Sequence, residues 1–385
     1  MGTQRPRVSV VMSVRDDAER VRRAIQSIRS QTFTDWELIV IDDGSRDGTG
    51  TVLDELVTAD GRIRAIHQEQ TGLTRALIRG CAESRGEFIA RQDADDLSGP
   101  PRLERQVSLL DANPDAGFVS CWTQYIGPEN EPLELVTRPA DSEEATRQLL
   151  VDRQGPPAHG SVMFRRALYE KVNGYRPEFY FAQDADLWLR MAERAKIGYV
   201  PQVLYYYRRD YNSISGTFRP MQRRFGEVGQ ACRKARLTGQ PEAPHLAAAA
   251  ALTEEILRAG AGVAGSDGAP EMSYLIGSRL ARDRDRRAVG YLWKAIRDRR
   301  WYWRALGAAW PGAGDWKTGR RAGALRGLAI RSFDRTQGLG SAYTGRASES
   351  RRFAGPSVHR HGTGGAGVGA SRAGSRAADA ARLHE

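Results

Sequence analysis

Two stretches that end in aspartates decide the fold: residues 37–45 read ELIVIDDGS, and residues 87–96 read EFIARQDADD. Each is a short apolar run followed at once by acidic residues, which is typical of a buried strand that ends at a turn. A third apolar run, VSVVMSV at residues 8–14, precedes both. Because helical patterns separate the three runs, we predict parallel βαβ units whose acidic turns lie at one edge of the sheet.

The spacing of apolar residues predicts the remaining elements. Val21, Ala24 and Ile28 recur at helical spacing after Asp16 and Asp17, either of which is a suitable N-cap. Further helices are predicted over residues 51–57, 73–85, 103–110, 143–151, 166–172, 184–194, 241–262, 271–281 and 287–303, the last two as an antiparallel pair, and further strands over 62–67, 117–125, 159–164 and 197–207.

Composition excludes several classes of protein. The chain has 385 residues, of which 40% are hydrophobic and 27% charged, as in a globular protein with a sizeable core. Since no run of about 18 apolar residues occurs, we expect no membrane-spanning helix, and the first residues lack the apolar stretch of a signal peptide. Three widely spaced cysteines (Cys81, Cys121, Cys232) suit neither a disulfide framework nor a metal knuckle. These features predict a cytoplasmic protein.

Charge divides the chain near residue 217. Residues 1–216 carry a net charge of −5, and residues 217–385 carry one of +16. We therefore predict an α/β domain over 1–216, a basic helical extension over 217–337, and a disordered tail over 338–385, where Gly, Ser, Ala and Arg dominate.

The predicted extension interleaves arginines with tryptophans. Such a pattern occurs on surfaces that bind nucleic acids or membranes, and also on a packed helical hairpin with a solvated basic face. We favour the hairpin, with peripheral contact at the inner face of the plasma membrane as a second role, and expect no nucleic-acid partner. The residues concerned are Arg297, Arg299, Arg300, Trp301, Trp303, Trp310 and Trp316.

The DADD motif at residues 93–96 is the strongest candidate for a binding site. Three carboxylates within four residues repel one another, which costs stability unless a cation neutralises them. Mg²⁺ and Mn²⁺ take oxygen ligands, and Mg²⁺ is usually held by one or two carboxylates together with substrate phosphates. A solvated acidic turn is the competing interpretation of the motif.

Three other positions each have two competing interpretations, one chemical and one structural. Asp43 would accept hydrogen bonds from a nucleoside, or form an Asx turn with no ligand. Asp184 would act as a general base at the start of a helix, where the helix dipole alone also favours a carboxylate. His159 would contact an acceptor, although a single histidine beside a strand is more often structural.

The motifs, in their order along the chain, resemble those of the family 2 glycosyltransferases, which are enzymes of the GT-A fold. The resemblance covers roughly residues 6–216. It rests on VSVVMS at 8–13, SQTF at 30–33, ELIVIDDGS at 37–45, DGT at 47–49, RGEFIA at 85–90, DADD at 93–96, HGSVMFRR at 159–166, GYR at 174–176, QDADLWLR at 183–190, and YR at 207–208 with SIS at 213–215.

The resemblance implies a fold and a reaction. The fold is a Rossmann-like nucleotide-diphospho-sugar transferase, with a mostly parallel central sheet flanked by helices. The reaction is inverting transfer of a hexose from a nucleotide-diphosphate sugar, most commonly a uridine diphosphate sugar, to a hydroxyl of a saccharide or lipid-linked acceptor. Cell-envelope or exopolysaccharide synthesis is the setting that it implies.

The resemblance also assigns roles to residues. Asp184 matches the general base that deprotonates the acceptor hydroxyl, and Gln183 stands where the family usually has Glu. The resemblance assigns binding of the donor nucleotide to Ser13, Arg15, Asp43, Asp93 and Ala94. It assigns the Mn²⁺ or Mg²⁺ ion to Asp93 and Asp95, and acceptor contacts to His159 and Gln183.

Two other functions fit parts of the sequence. A non-catalytic protein that binds nucleotide sugars or carbohydrates would share the fold and the acidic turns. A nucleotidyltransferase would also use carboxylates and a metal ion, but it usually has a glycine-rich phosphate loop after the first strand, and residues 13–19 contain no glycine.

Overall fold

A computed structural model describes residues 5–209, 219–258 and 269–298 of the chain. Several predictions concern residues outside these ranges. They are the motif at 213–215, the end of the last predicted helix at 299–303, the residues Arg299, Arg300, Trp301, Trp303, Trp310 and Trp316, and the predicted tail at 338–385.

The described residues contain one sheet of nine strands in the order β3-β2-β1-β4-β8-β6-β9-β5, with β7 paired to β6. The strands are β1 (Val8–Val14), β2 (Trp36–Asp43), β3 (Ile63–Gln68), β4 (Phe88–Asp93), β5 (Leu97–Ser98), β6 (Ala116–Ile126), β7 (Pro132–Val136), β8 (Met163–Arg165) and β9 (Lys196–Arg208). From β3 to β4 the strands run parallel, β8 is antiparallel to both of its neighbours, and β6 and β9 are parallel. In the described residues the sheet is therefore mixed, with four parallel and four antiparallel pairings, and its α/β architecture confirms the predicted fold class.

Helices cover both faces of the sheet. They are α1 (Ala18–Arg29), α2 (Thr49–Ala59), α3 (Leu73–Ala82), α4 (Arg102–Ala112), α5 (Ser142–Leu150), α6 (Arg166–Lys171), α7 (Gln183–Ala192), α8 (Arg219–Leu237), α9 (Ala243–Arg258), α10 (Ala269–Arg282) and α11 (Ala288–Asp298). Asp17 caps α1, since its side chain accepts a hydrogen bond from the N–H of Arg20. In the described ranges, no helix combines the length and the apolar character that a membrane crossing requires.

The core has two layers because successive side chains of a strand point to opposite faces. In β1, Val10 and Met12 pack with α1, α2 and α4, whereas Val11 packs with α3 and α7 on the other face. All residues of β2 are buried. Strands that are buried on both faces have continuous apolar sequences, which is why the first two strands could be recognised from the sequence.

The structure differs from the sequence predictions at several places. The segment predicted as a strand over residues 159–164 begins instead with a 3-10 turn at His159–Ser161, and only Met163–Arg165 forms a strand. The sequence analysis did not predict β7, an edge strand in which exposed residues outnumber buried ones. It also did not predict α8, in which charged residues interrupt the apolar pattern.

The C-terminal helices pack on the sheet domain. Phe225 of α8 is fully buried against Phe179 and Phe181, with ring centroids 6.1 and 6.2 Å apart. Helices α10 and α11 form the predicted pair and pack against Leu133 of β7. Tyr291 of α11 donates a hydrogen bond to Glu131 at 2.6 Å. All three cysteines are buried and unpaired, as expected.

Candidate active site at the carboxyl edge of the sheet

The acidic turns lie together at the carboxyl edge of the sheet. Ser13 of β1 lies opposite Ile41 of β2 on one side and opposite Asp93 of β4 on the other. This edge opens into a cavity of about 660 Å³. Its lining contains every site residue named from the sequence, namely Ser13, Arg15, Asp43, Asp93, Ala94, Asp95, His159, Gln183 and Asp184.

Asp43, at the end of β2, holds the loop that leads into α3. One carboxylate oxygen accepts hydrogen bonds from the N–H of Thr71 and the side-chain amide of Gln68, both at 2.8 Å. The other accepts from the N–H of Gly72 at 2.8 Å. Gly72 has a φ of 89°, and an added Cβ would lie 3.1 Å from the ring of Tyr180. Asp43 therefore fixes the backbone of one wall of the cavity.

Arg91 of β4 is a fully buried arginine two residues before Asp93. Its guanidinium donates to the carboxylate of Asp93, and to the backbone oxygens of Val11 at 2.5 Å and Gln92 at 2.9 Å. Its Nε donates to Nε2 of His159 at 3.4 Å. Because Arg91 binds both side chains, it fixes Asp93 and His159 relative to one another.

His159 has two polar neighbours at one ring nitrogen. Its Nε2 lies 2.6 Å from the hydroxyl oxygen of Tyr175 and 3.4 Å from Nε of Arg91. Because arginine can only donate, this environment favours the tautomer with the proton on Nδ1. Burial and the charge of Arg91 lower the pKa of His159 well below its usual range. The next residue, Gly160, has no room for a side chain, because an added Cβ would lie 1.7 Å from the hydroxyl oxygen of Tyr205. His159 is therefore a neutral ring at a fixed position.

The remaining carboxylates of the DADD motif are crowded. Asp95 lines the cavity, and Asp96 is fully buried, where it accepts a hydrogen bond from the N–H of Arg208 at 2.7 Å. Burial and the neighbouring Asp93 raise the pKa of Asp95 to about 7. Burial, followed by Asp95 and Asp93, raises the pKa of Asp96 well above its usual range. A divalent cation would offset this concentration of negative charge.

The residues present fit a Mg²⁺ or Mn²⁺ ion that a phosphate ligand shares. Asp93 and Asp95 offer carboxylate oxygens to the same cavity. Within residues 5–209, 219–258 and 269–298, no group of three or more His, Cys, Asp or Glu side chains could hold a metal. One or two carboxylates completed by substrate phosphates is the usual environment of Mg²⁺.

Asp184 lies in the first turn of α7, after Ala182, whose φ of 54° turns the chain into the helix. Burial, reinforced by the charge of Asp93, raises the pKa of Asp184, while the N–H of Ala185 at 2.8 Å opposes the shift. A carboxylate with a raised pKa is a better base. Gln183, at the start of the same turn, is buried and also lines the cavity.

An ion-pair network holds the helix that carries Asp184. Asp186 of α7 pairs with Arg190 at 2.7 Å, and both side chains are almost fully buried. Arg176 pairs with Asp186 at 3.4 Å and with Glu242 at 2.7 Å, and Arg236 of α8 pairs with Glu242 at 2.7 Å. The C-terminal helices therefore support the position of α7.

Several residues that line the cavity escaped the sequence analysis. Tyr180 and Phe181 are separated from the QDAD motif only by Ala182, so their position near it was a usable signal. Tyr207 on β9 belongs to the YR motif but was assigned no role in the site. Further lining residues had no motif to mark them, among them Tyr125 on β6, Arg209 after β9, Gln222 on α8 and Met272 on α10. Gln222 and Met272 come from the region predicted as an extension.

The cavity combines three chemical capacities. Asp43 and its loop form a polar wall, Asp93 and Asp95 can hold a hard cation, and Asp184 can accept a proton. Together they suit a polyanionic ligand bound through a cation, next to a hydroxyl group that loses its proton.

Comparison with known proteins places this chain in a family. The model of glycosyl transferase family 2 matches residues 9–172. The O-antigen biosynthesis protein RfbC of Myxococcus xanthus is 28% identical over 210 residues, which are 54% of this chain and 16% of that protein. Among solved structures, the mannosyltransferase PcManGT from Pyrobaculum calidifontis, in complex with GDP-Man and Mn²⁺, is 22% identical with a TM-score of 0.47, covering 87% of this chain and 88% of that chain.

The most informative of these comparisons is with EpsE of Bacillus subtilis (strain 168), which is named as a glycosyltransferase. The two chains are 32% identical over 215 residues, which are 54% of this chain and 75% of EpsE. Together with the family match, this similarity shows that the chain belongs to glycosyl transferase family 2.

Proposed function

We propose that this chain is an inverting, metal-dependent hexosyltransferase. Its donor is a nucleotide-diphosphate sugar, for which the family resemblance favours uridine, and its acceptor is a hydroxyl of a saccharide or lipid-linked saccharide. One observation carries the proposal: Asp43, Asp95 and Asp184 come from three separate segments and line the same cavity.

The donor would lie along the edge of β1, β2 and β4. The nucleotide would contact Ser13, Arg15, Asp43, Asp93 and Ala94, all of which line this part of the cavity. Asp93 and Asp95 would hold the Mn²⁺ or Mg²⁺ ion, with Asp93 also fixed by Arg91. When bound, the ion offsets the negative charge that develops on the departing diphosphate.

Asp184 would take the proton of the acceptor hydroxyl. The acceptor oxygen then forms a bond to the anomeric carbon, the bond from that carbon to the diphosphate oxygen breaks, and the nucleoside diphosphate leaves with the electron pair. Burial and Asp93 raise the pKa of Asp184, which supports its role as a base near neutral pH. A single displacement of this kind inverts the anomeric configuration.

Polysaccharide assembly for the cell envelope is the setting that we propose. The name of RfbC, an O-antigen biosynthesis protein, supports it. We further propose a cytoplasmic enzyme whose catalytic part is residues 1–216, with peripheral contact at the inner face of the plasma membrane through the basic helices of residues 217–337.

Replacement of the proposed base tests the mechanism. We expect Asp184→Asn to lower kcat by about 10²–10⁴-fold, because a general base contributes that much. The Kd for nucleoside diphosphate with Mn²⁺ should change little. The release of nucleoside diphosphate from a panel of nucleotide sugars, with mixed saccharide acceptors, measures turnover. Asp115→Asn is the matched control, since the Asp115 side chain is 83% exposed.

Two results would contradict the proposal. Wild-type turnover in Asp184→Asn would show that Asp184 is not the general base. Full activity of Asp95→Asn would show that Asp95 does not hold a required metal ion. A wild-type protein that binds the donor but turns it over with no acceptor would favour the non-catalytic binding protein on the same fold.

A further inference from the structure

The cavity is also lined by residues that the proposed reaction does not use. Three of them form what we call the far end: Tyr125 on β6, and Tyr207 and Arg209 at the end of β9. In the sheet order, β6 lies four strands from β2, which carries Asp43. At about 4.8 Å between neighbouring strands, these two strands lie about 19 Å apart along the sheet.

The two tyrosines present aromatic surface to the cavity. The rings of Tyr125 and Tyr207 have centroids 4.9 Å apart and are inclined at 53°. The hydroxyl of Tyr125 donates to the backbone oxygen of Pro157 at 2.7 Å, so this ring is held in place. Rigid aromatic side chains with a few fixed polar groups are typical of ligand pockets, and the apolar faces of pyranose rings stack on such surfaces.

Arg209 adds a positive charge beside the rings. Its guanidinium lies 4.5 Å from the centre of the Tyr125 ring. It approaches Glu134 only at 4.0 Å, and the Glu134 side chain is 59% exposed, so water screens this pair. A planar guanidinium is suited to bind a phosphate or a carboxylate through two hydrogen bonds.

We propose that Tyr125, Tyr207 and Arg209 form an acceptor subsite for an anionic pyranose, that is, a sugar with a phosphate or a carboxylate group. The proposal rests on the glycosyltransferase function above. The pyranose ring stacks on the tyrosines, and its anionic group binds Arg209. Asp184 lines the same cavity as these three residues and the donor wall.

The strand order also separates the two arginines that line the cavity. Arg15 follows β1, next to the strand of Asp43, whereas Arg209 follows β9, three strands beyond β4. An anion at Arg15 therefore belongs to the donor, and an anion at Arg209 belongs to the acceptor. This arrangement provides a pair of matched variants.

Binding measurements on the full chain test the subsite. With nucleoside diphosphate and Mn²⁺ present, the ligands are the 1-phosphates and the uronic acids of glucose, galactose and mannose, each compared with the methyl glycoside of the same sugar. We expect at least one anionic ligand to bind about tenfold more tightly than its neutral counterpart, and Arg209→Gln to reduce this preference to within about twofold. A 1-phosphate preference indicates a phosphate-linked acceptor, and a uronate preference indicates an acidic polysaccharide.

Arg15→Gln is the control, which should weaken nucleoside diphosphate binding and keep the anionic preference. The proposal is overturned if the wild type binds no sugar, or binds anionic and neutral sugars equally well. It is likewise overturned if the preference for anionic ligands survives in Arg209→Gln. It is also overturned if Arg209→Gln weakens nucleoside diphosphate binding as much as it weakens sugar binding, which would assign Arg209 to the donor. Failure of wild type to bind any nucleoside diphosphate would instead contradict the proposed function itself.

Discussion

The guanidinium of Arg91 lies fully buried between the carboxylate of Asp93 and the imidazole of His159. Its charge lowers the pKa of His159 and also that of Asp184, so it favours a neutral imidazole and an ionised carboxylate. Burial acts on both groups as the larger cause. A base with a moderately raised pKa and a neutral histidine can therefore lie in the same cavity.

His67 of β3 makes stability depend on pH. Its ring nitrogens lie 2.8 Å from Asp42 and 3.2 Å from Asp54, and these hydrogen bonds, that to Asp42 first, raise the pKa of His67. A raised pKa contributes stability that is complete below the unfolded value of about 6.5, and that is lost as the pH rises through the folded value. We therefore expect His67→Gln to lower Tm more at about pH 5.5 than at about pH 9.

Thermal unfolding at both pH values measures this difference. Asp54→Asn should act in the same direction with a smaller effect, because Asp42 is the closer partner. A Tm difference between wild type and His67→Gln that stays constant with pH would show that the ion pairs do not contribute.

At the scale of elements, α7 depends on a neighbour far away in sequence. Glu242, which precedes α9, pairs with Arg176 and Arg236, both at 2.7 Å, and its side chain is only 19% exposed. We expect Glu242→Gln to lower the free energy of unfolding by about 1–3 kcal/mol, since hydrogen bonds to charged groups contribute about that much. It should also lower kcat, because Arg176 contacts the helix that carries Asp184.

Urea unfolding and steady-state rates measure these two effects. Glu254→Gln is the control, because Glu254 pairs with Arg258 on the surface, where both side chains are more than half exposed. That variant should change the free energy of unfolding by no more than about 0.5 kcal/mol. Equal effects of the two variants would contradict a role of the network in holding α7.

Elements with a simple apolar pattern were predictable from the sequence, and elements that depend on their packing partners were not. β1 and β2 are legible because both faces of each strand are buried. By contrast, β7 exists because it pairs with the edge of β6 and packs under α10, and a five-residue segment with exposed positions does not show this in sequence. The same holds for His159–Ser161, where packing against Tyr205 requires a turn.

The candidate site also contains residues that could be predicted from the sequence and residues that could not. Its acidic residues follow strands directly, so the topology rule brings Asp43 and Asp93 to one edge. The hydrogen bonds from the loop at residues 68–72 to Asp43 could not be predicted, because they depend on the path of that loop. Tyr125 and Arg209 could not be assigned either, since their meeting depends on the parallel pairing of β6 with β9.

At the scale of the whole molecule, the cavity is closed by residues from the C-terminal helices. Gln222 and Met272 line it, and Phe225 packs against Phe179 and Phe181 next to the start of α7. Thr253 of α9 also donates to the backbone oxygen of Glu178 at 2.6 Å. The segment that leads to Asp184 is therefore covered by helices that lie beyond residue 216.

A truncation series tests this dependence. We expect a chain of residues 1–216 to lose about 10 °C or more in Tm, because removal of a buried Phe side chain alone costs about 3–5 kcal/mol and 1 kcal/mol shifts Tm by about 2–4 °C at this size. Its affinity for nucleoside diphosphate with Mn²⁺ should fall as well. A chain of residues 1–337, without the predicted tail, should keep both properties. If the 1–216 chain matched the full chain in Tm and in affinity, the C-terminal helices would be independent of the site, and the boundary predicted at residue 216 would also be a boundary of folding.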